Sequence, residues 1–263
     1  MRILVTNDDG INASGIKVLS EIAREVAGIK GEVWVVAPES EQSGVGHCIN
    51  YINPTRVSFI SEQQIAVQGS PADCVLAGLH YLSKFDKPDL ILSGINRGNN
   101  SGENTVYSGT VGAAMEGALQ GIPSIALSQY FGPENISLDN PFEVASHFGA
   151  SLITDIYKKA QWEGVSYNTF YNVNFPPVKA TAVKGTKVVS QGSRNNTFSV
   201  EPTTAPNGRE FLWIKGHRQD ILTKEGTDVN ANLNGYISVT PMTCDLTNYD
   251  LIDDLKKKLE CEN

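Results

Sequence analysis

The N-terminal segment, residues 1–36, restricts the fold of this 263-residue chain more than any other part. Arg2–Thr6 is a short, largely β-branched run that opens into a polar loop, which predicts a buried strand. Apolar residues then recur at helical spacing from Ile16 to Val26, and Glu32–Val36 is typical of a second strand. A strand, a helix and a strand of these lengths form a right-handed parallel βαβ unit. The chain is therefore predicted to build a parallel sheet.

The alternation of strands and helices continues beyond this unit. Further strands are predicted around 51–59, 65–68, 89–92, 124–127, 172–175 and 235–240, and further helices from Pro71 onward and over 110–120, 142–159 and 248–259. From 178 to 234 the sequence is polar and rich in turns, which favours a β-rich extension. We therefore predict an α/β fold with a doubly wound, mostly parallel, Rossmann-like sheet. The core is expected over 1–177, an oligomerisation extension over 178–234, and a returning strand with a C-terminal helix over 235–263.

The overall composition excludes several classes of function. A net charge of −8, with no run of Lys or Arg that stands out, argues against binding a nucleic-acid polymer. The four cysteines include no CxxC pair, so neither a zinc site nor a disulfide framework is indicated. No run of 18 apolar residues and no signal peptide are present, so we expect no membrane span and a cytoplasmic location.

Asp8 and Asp9 carry the strongest signal for chemistry, because they follow the first predicted strand. Ligands of open α/β sheets bind outside the carboxyl ends of the strands. Gly10 breaks the strand, so that the two carboxylates can approach a common point. At about 4 Å their repulsion is roughly 4 kcal/mol, which a divalent cation would relieve. The alternative is a solvated turn closed by an Asx hydrogen bond.

Two further polar loops should converge on the same edge. In the loop after the second strand, the Ser43 hydroxyl is a candidate metal ligand and His47 a candidate phosphate contact or acid, although both also suit an ordinary loop. In the loop after 89–92, Asn96 offers an amide oxygen to a metal and Asn99 a donor to phosphate. Here a flexible surface loop is the alternative.

The Ser108–Thr110 segment leads into a predicted helix rich in small residues. Free N–H groups and the positive end of the helix dipole make such a start an anion site, to which Ser108 and Thr110 add hydroxyl groups. An ordinary N-cap is the alternative, and both can hold together.

Together these residues give oxygen-only ligands beside an anion-binding helix start. Oxygen ligands favour Mg²⁺ or Mn²⁺ over zinc. No GxxxxGK[ST] motif, GxSxG motif or GxGxxG fingerprint occurs, which argues against a P-loop NTPase, a serine hydrolase and a dinucleotide-dependent oxidoreductase. Metal-assisted hydrolysis of a phosphate ester is the remaining fit.

The chain resembles the SurE family of stationary-phase survival proteins. The similar motifs, in order, are VTNDDG from Val5, APESEQSGVGH from Ala37, GSPAD from Gly69, SGIN from Ser93, SGT from Ser108 and SVTP from Ser238. The resemblance implies a 5′/3′-nucleotidase acting on nucleoside monophosphates, and in some members on short polyphosphate. It also implies a homodimer or homotetramer with exchanged C-terminal segments.

By the same resemblance, Asp8, Asp9, Ser43 and Asn96 match the metal ligands, for one Mg²⁺ or Mn²⁺ per subunit. Ser108, Gly109 and Thr110 match the phosphate-binding turn. The Gly-Ser-Pro at Gly69 departs from the usual Gly-Thr-Pro but keeps the hydroxyl group. Asp73, in the same motif, is expected to cap the following helix.

The hypothesis that follows is hydrolysis by a metal-activated water, with Asp8, Asp9 and Asn96 as the catalytic residues and Asp8 or Asp9 accepting the proton of the water. A covalent aspartyl-phosphate is the rival mechanism, and a nucleotide-binding sensor without turnover is the rival function. In the late extension, His217 and Asp228 could reach a site across a subunit interface, but surface positions are the expectation for both.

Overall fold

The computed structural model describes residues 1–82, 86–195, 198–216 and 218–260. The strands are β1 (Arg2–Thr6), β2 (Glu32–Pro38), β3 (Val57–Ser61), β4 (Gln64–Val67), β5 (Leu90–Arg97), β6 (Ser124–Gln129), β7 (Phe170–Phe175), β8 (Thr186–Val188), β9 (Ser199–Thr204), β10 (Glu210–Lys215) and β11 (Ile237–Met242). The helices are α1 (Ser14–Ala27), α2 (Pro71–Leu82), α3 (Asn104–Tyr107), α4 (Gly109–Leu119), α5 (Glu143–Lys159), α6 (Asp228–Leu233) and α7 (Ile252–Leu259), with 3₁₀ turns at Ala180–Ala182 and Tyr249–Leu251.

Nine strands form one sheet in the order β3-β4-β2-β1-β5-β6-β7-β11-β8. The pairs from β4 to β7 are parallel, whereas β3 runs antiparallel to β4 and β11 runs antiparallel to β7. The chain starts in the middle with β1 and winds outward in both directions, which places the switch point between β1 and β5. The prediction of a mostly parallel sheet is confirmed.

Helices cover both faces of the sheet because the side chains of each strand alternate. In β1, Ile3 and Val5 pack into the cluster that contains α1 and α5, while Leu4 packs on the opposite face against α2. All three residues are fully buried. The strands are therefore apolar on both faces, as expected in a doubly wound fold.

The late part of the chain contributes to the main sheet and also leaves it. β8 is an edge strand of the main sheet, paired in parallel with β11, whereas β9 and β10 form a separate antiparallel hairpin. The predicted returning strand is present as β11, and the predicted C-terminal helix is present as a 3₁₀ turn followed by α7. The strand predicted around 51–59 begins only at Val57. The division at 177/178 and the oligomerisation role of the extension stay predictions.

Within the described ranges, no helix is long and apolar enough to cross a membrane. The thiols of Cys48, Cys74 and Cys244 are free, and Cys261 lies outside the described residues. Burial raises the pKa of Cys74 well above its usual range, so this thiol is a packed side chain.

Candidate functional site

The turn after β1 presents two carboxylates at the carboxyl edge of the sheet. Asn7 shapes this turn, because its Nδ2 donates to the carbonyl of Gly10 at 2.9 Å and its Oδ1 accepts from the Gly10 N–H at 3.2 Å. Gly10 has φ +100°, a conformation that a side chain would strain. The turn places Asp8 and Asp9 between β1 and α1, with Asp8 buried and Asp9 partly exposed.

Asp8 lies against the N-terminus of α4. The hydroxyl of Thr110 donates to Asp8 Oδ1 at 2.6 Å, and its backbone N–H donates to Oδ2 at 3.1 Å. Gly109 permits this approach, since a Cβ there would lie 3.0 Å from Asp8 Cβ. Ser108 is the N-cap, with its Oγ accepting from the Val111 N–H at 3.0 Å. The positive end of the helix therefore faces the carboxylate.

Asp9 and Asn96 each keep an oxygen open. The N–H of Arg97 donates to Asp9 Oδ2 at 3.1 Å, and in the described part of the chain Asp9 Oδ1 accepts no hydrogen bond. Asn96 Nδ2 donates to the carbonyl of Gly98 at 3.0 Å. Because a backbone carbonyl only accepts, this contact fixes the amide and turns its Oδ1 away. The β5–β6 pairing shifts register between Ser93 and Asn96, a bulge of the kind that re-aims side chains beside active sites.

The loop after β2 reaches the same turn through its backbone. The N–H of Gln42 donates to the carbonyl of Asp8 at 2.7 Å, which brings the neighbouring Ser43 to the carboxylate turn. The exposed Ser43 hydroxyl donates to Glu41 Oε1 at 2.7 Å, so its oxygen retains lone pairs for a ligand. The predicted convergence of three polar loops is thus present.

The electrostatics of the site call for positive charge. Burial raises the pKa of Asp8 from 3.8 to about 6, opposed by the hydrogen bond from the Thr110 hydroxyl and assisted by the nearby charge of Asp9. Burial likewise raises the pKa of Asp9, opposed by the Arg97 N–H. Each carboxylate is therefore costly to ionise without a counter-charge. A cation bound by oxygen atoms would remove that cost.

The donor set fits a hard cation and not zinc. Across the described ranges there is no group of three or more His, Cys, Asp or Glu side chains arranged to hold a metal. The candidate ligands include two carboxylates, Asp8 and Asp9, and the remaining oxygen atoms come from Ser43 and Asn96. Carboxylate, amide and hydroxyl oxygens suit Mg²⁺ or Mn²⁺.

The side chain of His47 is turned along α4. Its Nε2 lies 2.7 Å from Glu116 Oε2, and its backbone packs so closely on the helix that a Cβ at Gly112 would lie 2.9 Å from His47 Cα. Glu116 is seven residues beyond Gly109, which is about 10 Å along a helix axis. This contact fixes the loop onto α4, and a contact between His47 and phosphate stays a prediction.

Asn99 is held in a buried polar network. Its Oδ1 accepts from Arg194 Nη2 at 3.0 Å and from the Ser101 hydroxyl at 2.8 Å. Asn99 is 7 % exposed, so the structure uses this side chain to connect the loop after β5 with the late extension. The contact between Asn99 and phosphate also stays a prediction.

The surface position expected for Asp228 is wrong. Asp228 is fully buried and accepts from the N–H groups of Gly102 at 3.0 Å and Gly192 at 2.8 Å. Burial raises its pKa, opposed by those N–H groups. Asp228 thus ties the extension to the loop after β5. His217 lies outside the described residues.

Three residues that sequence reasoning did not select also shape the site: Arg194, Glu103 and Glu116. Arg194 is 8 % exposed and donates to the carbonyl of Ser101 at 3.0 Å. Nothing in the local sequence indicates this burial, since the partners lie some ninety residues apart.

Asp73 was predicted as a cap, and this is confirmed. Its Oδ2 accepts from the N–H of Ser70 at 2.8 Å, and its own N–H donates to the Ser70 hydroxyl at 3.0 Å.

Comparison with known proteins decides the family. The family model described as "Survival protein SurE" matches residues 3–197. The chain belongs to the SurE family.

The relatives agree with this membership along their whole length. The 5′-nucleotidase SurE of Jannaschia sp. (strain CCS1) is 58 % identical over 263 residues, which cover 99 % of this chain and 100 % of that protein. The 5′-nucleotidase SurE of Ruegeria pomeroyi is 56 % identical over 260 residues, covering 98 % and 100 %. The crystal structure of the SurE protein from Aquifex aeolicus superposes with a TM-score of 0.78 at 39 % identity, covering 98 % of this chain and 99 % of that one. The carboxylate turn, the end of β5 with Asn96 and the start of α4 all lie inside the matched SurE region.

Proposed function

We propose that this SurE-family chain is a divalent-metal-dependent 5′/3′-nucleotidase. It hydrolyses nucleoside monophosphates to nucleoside and phosphate, with short polyphosphate as a further substrate. The observation that carries the proposal is the contact of Asp8 with Thr110, which brings one of the two adjacent carboxylates directly to the N-terminus of α4. A cation held by the carboxylates and a phosphate at the helix start would then be neighbours. The 5′-nucleotidase relatives with more than 50 % identity support the same activity.

Asp8, Asp9, Ser43 and Asn96 would hold one Mg²⁺ or Mn²⁺ per subunit. Such a cation, when bound, polarises the phosphoryl group and activates a water for attack. The Oδ1 atoms of Asp9 and Asn96, which accept no hydrogen bond within the described ranges, are the oxygen atoms available to bind the cation. The raised pKa values of both aspartates follow from placing two carboxylates in a partly buried turn.

The residues at the start of α4 differ in what they offer a phosphate. Thr110 uses both its N–H and its hydroxyl on Asp8. Gly109 has a backbone N–H at the first helical position, with no acceptor within the described ranges. The Ser108 Oγ accepts from Val111, which leaves the hydroxyl proton to donate. Ser108 and Gly109 would therefore donate hydrogen bonds directly to the phosphate, whereas Thr110 orients Asp8. These donors stabilise the charge that develops on the phosphoryl oxygens.

The hydrogen bonds of the two aspartates support different tasks for them. Both oxygens of Asp8 are held by Thr110, which makes this carboxylate a poor nucleophile and a rigid ligand. Asp9 Oδ1 accepts no hydrogen bond within the described ranges, so one of its lone pairs could bind the cation and the other accept the proton of the attacking water. A water mechanism follows, rather than an aspartyl-phosphate. Rapid quenching of turnover with ³²P-labelled AMP should leave no labelled protein, and a phosphorylated Asp8 would contradict this assignment.

Phosphate release tests the function directly. Wild type and Asp9→Ala would be assayed with a panel of nucleoside 5′- and 3′-monophosphates in EDTA, Mg²⁺ or Mn²⁺. The exposed Asp139 provides a matched control, Asp139→Ala, far from the carboxylate turn in the sequence. We expect metal-dependent release that Asp139→Ala keeps and Asp9→Ala loses. Binding of nucleotides without release under any condition would favour a non-catalytic sensor instead.

The assembly and location remain part of the proposal. We infer a cytoplasmic homodimer or homotetramer, with the extension at the interface. The hairpin supports this role, because its strand β10 leaves Leu212, Trp213 and Ile214 each more than 60 % exposed in the single chain. Light scattering of wild type and Trp213→Glu should show a smaller particle for the variant, and equal masses would remove the hairpin from the interface.

A further inference from the structure

A small cavity lies beside the proposed phosphate turn. Its volume is about 70 Å³, and its walls include Tyr107, Asn104, Phe198 and Arg194. Tyr107 directly precedes Ser108, so the cavity begins one residue from the groups proposed to donate hydrogen bonds to the phosphate. This volume is well below the roughly 300–1,000 Å³ of pockets that enclose whole ligands. It suits the edge of one flat ring, with the rest of the ligand lying outside.

Two aromatic rings form the apolar side of the cavity. Tyr107 and Phe198 meet edge to face, with centroids 5.1 Å apart and ring planes at 89°. Each residue is still 46 % exposed, so much of the aromatic surface remains open to a flat ligand. Phe198 belongs to the late extension, whereas Tyr107 belongs to the core. The two parts of the chain therefore build this surface together.

Asn104 supplies a hydrogen-bond acceptor of fixed orientation. Its Nδ2 donates to the backbone carbonyl of Asn99 at 3.2 Å and to Gln219 Oε1 at 2.8 Å. A backbone carbonyl accepts only, so Nδ2 must face it and Oδ1 must point the other way. Over the described ranges Asn104 Oδ1 accepts no hydrogen bond. Asn104 lines the cavity, and this amide oxygen is the acceptor that its side chain has left for a ligand.

The charges on the cavity wall cancel each other. Glu103 and Arg194 lie 3.5 Å apart, and Glu103 also accepts from the N–H of Asn195 at 3.0 Å. Hydrogen bonds from Ser193, Arg194 and Asn195 keep the pKa of Glu103 below its usual value against the opposing effect of desolvation. A paired wall of this kind favours a neutral planar group over a second phosphate.

We propose that this cavity is the base subsite of the substrate and that Asn104 selects bases with an exocyclic amine. The inference rests on the nucleotidase function proposed above. The phosphate lies at Ser108 and Gly109, the base packs on Tyr107 and Phe198, and its amine donates to Asn104 Oδ1. Adenine and cytosine satisfy this acceptor, whereas hypoxanthine and uracil present a carbonyl oxygen at the same place. AMP and CMP are therefore better substrates than IMP and UMP.

The test compares kcat/KM for AMP, IMP, CMP, UMP and ribose 5-phosphate on three proteins: wild type, Phe198→Ala and the control Phe59→Ala. Phe59 is 59 % exposed on β3, outside the extension, and does not line the cavity. Wild type should prefer AMP to IMP and CMP to UMP by about tenfold. Phe198→Ala should lower kcat/KM for AMP and CMP by about tenfold, because stacking on an aromatic ring is lost. Ribose 5-phosphate has no base, so its turnover should be unchanged, and Phe59→Ala should match wild type throughout.

Two results would overturn the subsite while leaving the nucleotidase intact. One is equal kcat/KM within each pair of bases, and the other is an equal loss for ribose 5-phosphate and AMP in Phe198→Ala. Calorimetry with adenosine and inosine measures the same preference without turnover. If wild type hydrolysed none of the phosphates, the proposed function would fail, and weaker adenosine binding by Phe198→Ala would still support the subsite. Equal binding of adenosine and inosine by both wild type and Phe198→Ala would contradict the proposed subsite.

Discussion

Asp8→Asn should make the metal-free protein more stable while abolishing its activity. Asp8 is 4 % exposed, and its burial raises the pKa to about 6 from the ordinary 3.8. The ionised carboxylate therefore destabilises the folded state. An asparagine has the same shape and carries no charge.

The local hydrogen bonds allow the replacement. Thr110 donates to Asp8 through both its N–H and its hydroxyl. In the variant the amide oxygen can accept from the N–H of Thr110, and the amide N–H can donate to its hydroxyl oxygen, since a hydroxyl both donates and accepts. Both contacts are then kept, and the change removes mainly the charge.

The magnitude follows from the pKa. A rise from 3.8 to about 6 corresponds to about 3 kcal/mol, at roughly 1.4 kcal/mol for each pH unit. A group with a raised folded-state pKa binds more protons when folded, so its stabilising effect is complete below pH 3.8 and is lost as pH rises through 6. Some of the 3 kcal/mol is lost where Asn accepts less strongly than a carboxylate. We expect a gain of about 1–3 kcal/mol for Asp8→Asn at pH 8.

Urea unfolding in EDTA at pH 4 and pH 8 measures this difference, with the exposed Asp139→Asn as control. At pH 8 the free energy of unfolding of Asp8→Asn should exceed that of wild type, and the difference should shrink toward pH 4. Adding Mn²⁺ should stabilise wild type and the control, because ligand binding to the folded state raises its stability, while Asp8→Asn responds weakly. A variant less stable than wild type at pH 8, or a gap that does not change with pH, would refute the electrostatic reasoning.

Three further substitutions test other contacts of the site. Gly109→Ala should lower kcat by at least about tenfold with CD spectra unchanged, because the new Cβ would lie 3.0 Å from Asp8 Cβ; wild-type kcat would show that this approach is not needed. Asp228→Ala removes the acceptor of three buried backbone N–H groups and should lower the free energy of unfolding by about 2–5 kcal/mol. A loss under 1 kcal/mol would contradict the role of Asp228 in holding the extension to the loop after β5. Ser70→Ala breaks the reciprocal cap with Asp73 and should cost about 1 kcal/mol, while Ser70→Thr keeps the hydroxyl and should match wild type in the same urea titration.

Local sequence patterns predicted the scaffold because strand and helix periods are local. The buried strand at Arg2–Thr6 has its predicted bounds, and a helix begins at Pro71 as predicted. The carboxyl ends of parallel strands must share one edge of the sheet. β5 extends to Arg97, beyond the predicted 92, because the bulge after Ser93 lets pairing with β6 resume at Asn96. A bulge leaves no repeating pattern of apolar residues in the sequence, so it could not be predicted.

The polar network around the late extension could not be predicted in the same way. Arg194 contacts Asn99, 95 residues away in the sequence, and Asp228 contacts Gly102, 126 residues away. A charged residue in a polar stretch is usually exposed, and only the folded chain shows that these two are buried. The same applies to His47, whose partner Glu116 lies on a helix that the sequence marked for its small residues.

The central claim is tested most directly by counting bound Mn²⁺ with electron paramagnetic resonance. The proteins compared are wild type, Asp9→Ala, Asn96→Ala and Asp139→Ala, and each sample is also assayed for phosphate release from AMP. We predict one tightly bound ion per chain in wild type and Asp139→Ala. We also predict that binding and release fall together in the two site variants. Equal Mn²⁺ binding by all four proteins, or full release by Asp9→Ala, would contradict a metal site at the turn after β1.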